Sequence, residues 1–261
     1  MFKLVKYELK GCFKDFIIMV CTIIILNLAL LTRINVWSPD AIFSLNLLIG
    51  FAVAVVVIIW NIRLFSRDLY EDTSYLLFTI PKSGKNILMN KIVTAIIQCI
   101  IVSIIVGIFT VILLQILRLT QNFLVFDVTA FRQFVTAFTP QFIAAGILSS
   151  MVVYITFLLT VYLAITLGKV AIKNRKLGKL GTFAIFIVLT LAQIKLEDIF
   201  LKIFPQTFNL KVINIKNVTI NTNGMVSSGI DLSISLIVLS IIIIIAMFYA
   251  TAYLIENKLD L

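Results

Sequence analysis

Residues 42–91 read IFSLNLLIGFAVAVVVIIWNI and then RLFSRDLYEDTSYLLFTIPKSGKNILMNK. The first part, Ile42–Ile62, carries no charge and has the length of about 20 apolar residues that crosses a hydrocarbon core. The second part, 63–91, holds five basic and three acidic residues, so it does not span a bilayer, and it is short for a domain. Apolar sequence resumes at once, from Ile92 to Leu117. Two spans joined by a polar, aromatic-bearing connection set the frame for the rest of the chain.

Outward from there the pattern repeats. The chain has 261 residues, 61% apolar and 13% charged, against roughly a quarter charged in soluble domains. Further apolar stretches lie at Phe16–Thr32, Pro140–Gly168, Leu180–Ile194 and Leu232–Ile255. The stretch from Leu180 is short unless Leu177–Lys179 extend it, with Lys179 snorkelling to the interface. The expectation is an all-α integral membrane protein with six transmembrane helices in one transmembrane domain, 1–261. No span alternates with period two, so a β-barrel is excluded.

Orientation follows from lysine and arginine. With the N-terminus inside, segments 1–15, 63–91, 169–179 and 256–261 hold 15 of the 22 basic residues. The positive-inside rule then puts both termini in the cytoplasm. The net charge of +10 is a topology signal; the basic residues flank spans and form no nucleic-acid groove. Cys12, Cys21 and Cys99 offer no external disulfide framework. The first span follows basic residues, as a signal peptide would, but lacks a small-x-small cleavage site and is expected to be retained.

Residues 1–15 have helical spacing. Phe2, Val5, Leu9, Cys12, Phe13 and Phe16 recur every three or four positions, and Lys3, Lys6, Lys10 and Lys14 fall on the other side. This fits an interfacial helix on an anionic leaflet; an ordinary basic flank that fixes topology fits as well. Between the second and third spans, acids crowd near Arg67, Asp68, Glu71 and Asp72, and Tyr75, Leu76, Leu77, Phe78 and Ile80 follow. A short helix over 66–79 is expected, ended by Pro81, with Lys82, Ser83 and Gly84 as a turn. Its apolar half needs a partner surface or lipid, so the segment reads either as a docking element or as an elbow dipping into the interface.

On the outer side, Phe131, Phe134 and Phe138 in segment 118–139 have helical spacing. The inner segment 169–179 is basic and reads as a topology determinant. In segment 195–231, Leu196, Ile199, Phe200, Ile203 and Phe204 recur at i, i+3, i+4, i+7 and i+8, and Pro205 ends the run. That predicts an amphipathic helix that lies on, or re-enters, the outer leaflet between spans five and six. Beyond it, 210–223 alternates apolar and polar residues, which suits a hairpin or an extended segment. Asn217-Val218-Thr219 matches a glycosylation acceptor, a pattern common by chance.

The chemistry is defined by what is missing. There is no histidine, which removes His-based acid–base catalysis and ligation. No cysteine pair has ligand spacing, so no metal site is expected. The nearest string to a phosphate-binding loop, Ser83-Gly84-Lys85-Asn86, lacks the first glycine and the final hydroxyl. The span centres carry no ionisable group, unlike ion-coupled carriers. What remains there is Asn27, Asn46, Asn61, Gln98, Ser103, Thr156, Thr160, Thr166 and Gln193. Interhelical hydrogen bonding is the plain role for these, and Asn46 and Gln98, the deepest amides, are the candidates for a translocation surface.

The six-span layout, the basic amphipathic N-terminus and the connection after the second span resemble the permease subunits of type-2 ABC exporters. The specific part is Phe65–Lys91: an acidic, aromatic run, then Tyr75-Leu76-Leu77-Phe78-Thr79-Ile80-Pro81, a short turn, and Lys91 opening the third span. The resemblance implies a pair of permease chains clasping two copies of a separate cytoplasmic ATPase, which binds ATP and Mg; no catalytic residue or cofactor is then expected on this chain. It implies a coupling helix in 66–81, with Arg67, Asp68, Glu71, Asp72 and Tyr75 in polar contact with the ATPase and Leu76–Ile80, closed by Pro81, packed against it. It implies a connecting helix at 1–15, a re-entrant helix at 195–204, an amphipathic cargo (peptide, lipid or drug) and a bacterial plasma membrane. The alternative is a non-transport sensor or scaffold of a peptide-resistance system. An integral membrane enzyme is the reading with least support.

Overall fold

A computed structural model describes residues 2–34, 36–70, 84–121, 140–172, 179–205, 207–211 and 229–257. The described residues are almost entirely helical. In chain order the helices are α1 (Phe2–Gly11), α2 (Phe13–Leu31), α3 (Pro39–Tyr70), α4 (Gly84–Gln121), α5 (Pro140–Ile172) and α6 (Lys179–Ile203). Strands β1 (Thr207–Lys211) and β2 (Gly229–Ser233) follow, and then α7 (Ile234–Asn257). Five of these helices are long and apolar enough to cross a membrane: α2, α3, α4, α5 and α7. That fits a multi-pass membrane protein.

Proline marks the helix limits. Pro39 and Pro140 open α3 and α5, where a missing N–H costs nothing. Pro205 stands just beyond α6, after Phe204 N donates to Phe200 O at 2.9 Å. Asp40 in the first turn of α3 complements the helix dipole. With 38 residues at about 1.5 Å each, α4 is far longer than a hydrocarbon core of about 30 Å.

Three expectations differ from the observed elements. The N-terminal helix does not run to residue 15; it stops at Gly11, and residues 13–15 belong to α2. A Cβ at Gly11 would meet nothing within 4 Å, so glycine weakens the helix there without serving a tight contact. Residues 66–70 do not start a new helix but are the last turns of α3. The run from Leu196 is not a separate re-entrant helix: it continues the apolar stretch from Leu180 as one helix, α6, since nothing between Ile194 and Lys195 breaks the backbone ladder. At 25 residues α6 has the length to cross, although it is not among the five helices apolar enough to qualify. Between α6 and α7 the strands pair antiparallel, Thr207 opposite Ser233 and Lys211 opposite Gly229, so β1 finds its partner at 229–233; 212–228 lie outside the described residues.

The chain divides into two compact units: 1–65 with 89–131, and 66–88 with 132–261. In the first, Ile23, Val53, Val57 and Val102 form one buried cluster, with Phe16 and Met19 against it. Leu30, Ile34, Ile42, Leu113 and Leu117 form another. Phe16 meets Trp60 edge-on at 6.5 Å. In the second unit α5 packs on both α6 and α7. Its apolar window is 56% buried, against 33% or less for the four other candidate spans, which makes α5 the central helix of that unit. Leu158, Leu159, Tyr162 and Thr166 are its largest fully buried side chains among the described residues.

Candidate functional site

The segment 71–83 lies outside the described residues, and with it Glu71, Asp72, Tyr75, Leu76, Leu77, Phe78 and Pro81. Its two flanks are described, and both belong to the second unit. On the leading flank, the exposed Arg67 and the half-buried Asp68 form an ion pair at 4.0 Å, while Leu69 is buried and Tyr70 exposed. The last carbonyls of a helix have no partner within it. Here Lys169, in the last turn of α5, donates its Nζ to the Leu69 carbonyl and lies 5.8 Å from the Tyr70 ring centroid. A cation at a helix C-terminus also opposes the dipole. The basic stretch 169–179 therefore contains at least one lysine with a specific contact.

On the trailing flank, Gly84 opens α4 against α7. A Cβ there would lie 2.9 Å from the Ala252 carbonyl oxygen and 3.3 Å from Ile255 Cγ2. That backbone approach, rather than a phosphate, is what the glycine of Ser83-Gly84-Lys85-Asn86 serves. Lys85 Nζ sits 5.1 Å from the Tyr249 ring centroid, within cation–π range. Leu88 on the next turn is fully buried. Both flanks of segment 71–83 are thus fastened to the α5–α7 body.

Of the two candidate amides, Asn46 belongs to an interhelical hydrogen-bond network. In the first unit Asn46 Nδ2 donates to Asn27 Oδ1 at 3.3 Å, and Thr110 Oγ1 donates to Asn46 Oδ1 at 3.0 Å. This chain links α2, α3 and α4, and Asn27 and Asn46 are both buried. Gln98, on α4, is buried as well. In the second unit Gln193 Nε2 donates to Thr160 Oγ1 at 3.1 Å and to Met247 Sδ at 3.0 Å, linking α6, α5 and α7. Of the amphipathic set expected on the outer side, Leu196, Ile199, Ile203 and Phe204 are exposed in the single chain, and the Phe200 ring centroid lies 5.1 Å from that of Phe204, tilted by 44°.

Sequence reasoning missed one cluster. Glu8 Oε1 pairs with Lys91 Nζ, and Glu8 Oε2 accepts from Asn90 Nδ2 and from Thr94 Oγ1, the latter at 3.3 Å. Both charged side chains are nearly buried, at 12% and 8% exposure. The signal was present: Val5, Glu8 and Cys12 share one helical face, so an acid stood inside the apolar stripe. Among the described residues no group of three or more His, Cys, Asp or Glu side chains is placed to hold a metal.

No protein-family model, no curated protein and no solved structure matches this chain.

Proposed function

We propose that this chain is the membrane subunit of an ATP-driven exporter, with segment 66–81 as the contact through which a separate cytoplasmic ATPase acts. The observation that carries the reading is the fastening of both flanks of segment 71–83, by Lys169 on one side and by the Gly84–Ala252 approach with Lys85 on the other. A connection held at both ends passes a displacement to the helices it joins, where a slack one would absorb it. The acidic, aromatic sequence between those flanks suits a docking surface, and the resemblance over Phe65–Lys91 supplies the kind of partner.

In this reading α6 makes the sixth crossing, so both termini lie in the cytoplasm, consistent with the lysine and arginine bias. Leu196, Ile199, Phe200 and Ile203 form the outer end of α6. Two ATPase copies hold ATP and Mg, and this chain holds neither. A second permease chain and lipid cover apolar faces that stand exposed here, such as Phe51, Leu148, Val153 and Val188. The setting is a bacterial plasma membrane and the cargo an amphipathic peptide, lipid or drug.

The test is co-purification. The tagged chain is co-expressed with a neighbouring reading frame that carries a phosphate-binding loop, and the mass of the solubilised complex is measured. The expected result is two ATPase copies with two permease chains, lost in the Glu71→Arg, Asp72→Arg variant while the chain still inserts. Unchanged ATPase recovery with that variant removes the coupling assignment. A six-span protein that retains no ATPase favours the sensor or scaffold reading.

A further inference from the structure

We infer that Glu8 and Lys91 form a latch that docks the N-terminal helix, and that this charge pair, rather than apolar packing, decides whether α1 is seated. The inference does not depend on the exporter reading.

Within residues 5–12 the apolar contact that could hold α1 is small: two buried side chains and the half-buried Leu9. From residue 5 to residue 12, Val5 and Cys12 are the buried side chains, whereas Lys6, Tyr7 and Lys10 are exposed. Against that small apolar contact stands a receptor of three donors on two adjacent turns of α4: the Asn90 amide, the Lys91 ammonium and the Thr94 hydroxyl. They converge on one carboxylate, so both its oxygens are engaged. Asn90 turns its donor inward and leaves its own Oδ1 buried without a partner among the described residues. The opposite amide orientation would face that oxygen to the carboxylate, so the receptor is arranged for an anion. A buried ion pair adds little over an apolar pair of the same shape, yet loss of one partner strands a charge and is strongly unfavourable. Docking of α1 is therefore steeply sensitive to either residue alone and tolerant of changes that keep the two matched.

The joint next to the latch suits a seated arm. Gly11 ends α1 without any packing demand for glycine, and Cys12 follows at φ −92°, ψ 0° with no side-chain cap. Helical hydrogen bonds run through the joint, from Cys12 N to Glu8 O at 3.0 Å and from Phe16 N to Cys12 O at 2.9 Å. The Cys12 side chain is buried, and unseating α1 uncovers it, so its thiol reports the state of the latch.

The experiment uses the full chain in detergent with Cys21→Ser and Cys99→Ser, and follows reaction of Cys12 with a water-soluble maleimide. Slow labelling is expected for this parent. Lys91→Met should label about tenfold faster, because it takes the countercharge from the buried Glu8 carboxylate, and Glu8→Gln should also label faster, because it removes the charge that draws α1 to Lys91. The swap Glu8→Lys with Lys91→Glu should return towards the parent rate, since the two charges stay matched and the Asn90 amide and Thr94 hydroxyl can each turn an oxygen to an ammonium. If a single variant fails to accumulate, restored accumulation in the swap supports the latch equally, and its failure to restore overturns it. Single variants that label within about twofold of the parent, or a swap as reactive as the worse single variant, also overturn it.

Discussion

The two units hold themselves together by different means. In the first, long helices share thin apolar seams, and polar groups make the links between elements: Glu8 to Lys91, and Asn27 to Asn46 to Thr110. In the second, one helix is wrapped. The α5 window is more than half buried, and its polar link through Gln193 and Thr160 is an addition to that packing. The contrast has a physical source. Helices in lipid gain little from burying apolar surface against each other, so association rests on close packing or on polar contacts. One unit leans on contacts and the other on packing.

Substitutions test that contrast. The largest effect is expected for Lys91→Met, which strands Glu8 and should cost about 3–5 kcal/mol in the first unit; the unfolding midpoint in SDS, read by loss of helical signal, checks it. Leu158→Ala, fully buried on α5, should cost about 2–3 kcal/mol in the same assay through a cavity in the second unit. If Leu158→Ala proves worse than Lys91→Met, the contrast is reversed. Asn46→Leu removes two interhelical hydrogen bonds and should cost about 1 kcal/mol, at roughly 0.6 kcal/mol each. Under the exporter reading, a loss of transport far beyond that stability change would support Asn46 as a path residue. The smallest effect is expected for Lys85→Gln, about 0.5 kcal/mol for an exposed cation–π contact. Its stability should barely move, while under the exporter reading export should fall if the trailing flank of segment 71–83 transmits force.

Much of the architecture was legible from composition. Every apolar stretch expected to span became a helix, and three of the four prolines stand at helix limits, because an apolar run and a missing N–H act locally. The amide inventory was legible in part. Asn27, Asn46, Thr160 and Gln193 do bond between helices, but Thr156 and Thr166 donate to carbonyls of their own helix. Spacing alone does not separate those outcomes, since a threonine finds its own carbonyl one turn back in any helix. The flank contacts were not legible. Leu69 and Lys169 are 100 residues apart, and neither the capping role of Lys169 nor the approach of Gly84 to Ala252 leaves a local pattern.

The sequence by itself determined a set of long apolar helices that fit a multi-pass membrane protein, and which segments stay polar. Those properties follow from hydrophobic length and from backbone chemistry within a few residues. Only the tertiary structure decided which charges are neutralised and by what. Lys3, Lys6, Lys10 and Lys14 looked like the working face of the N-terminal helix, yet Glu8, on the opposite face, makes the specific contact with α4. A buried charge is tolerable only beside its partner, and partners 83 residues apart meet only when the helices pack.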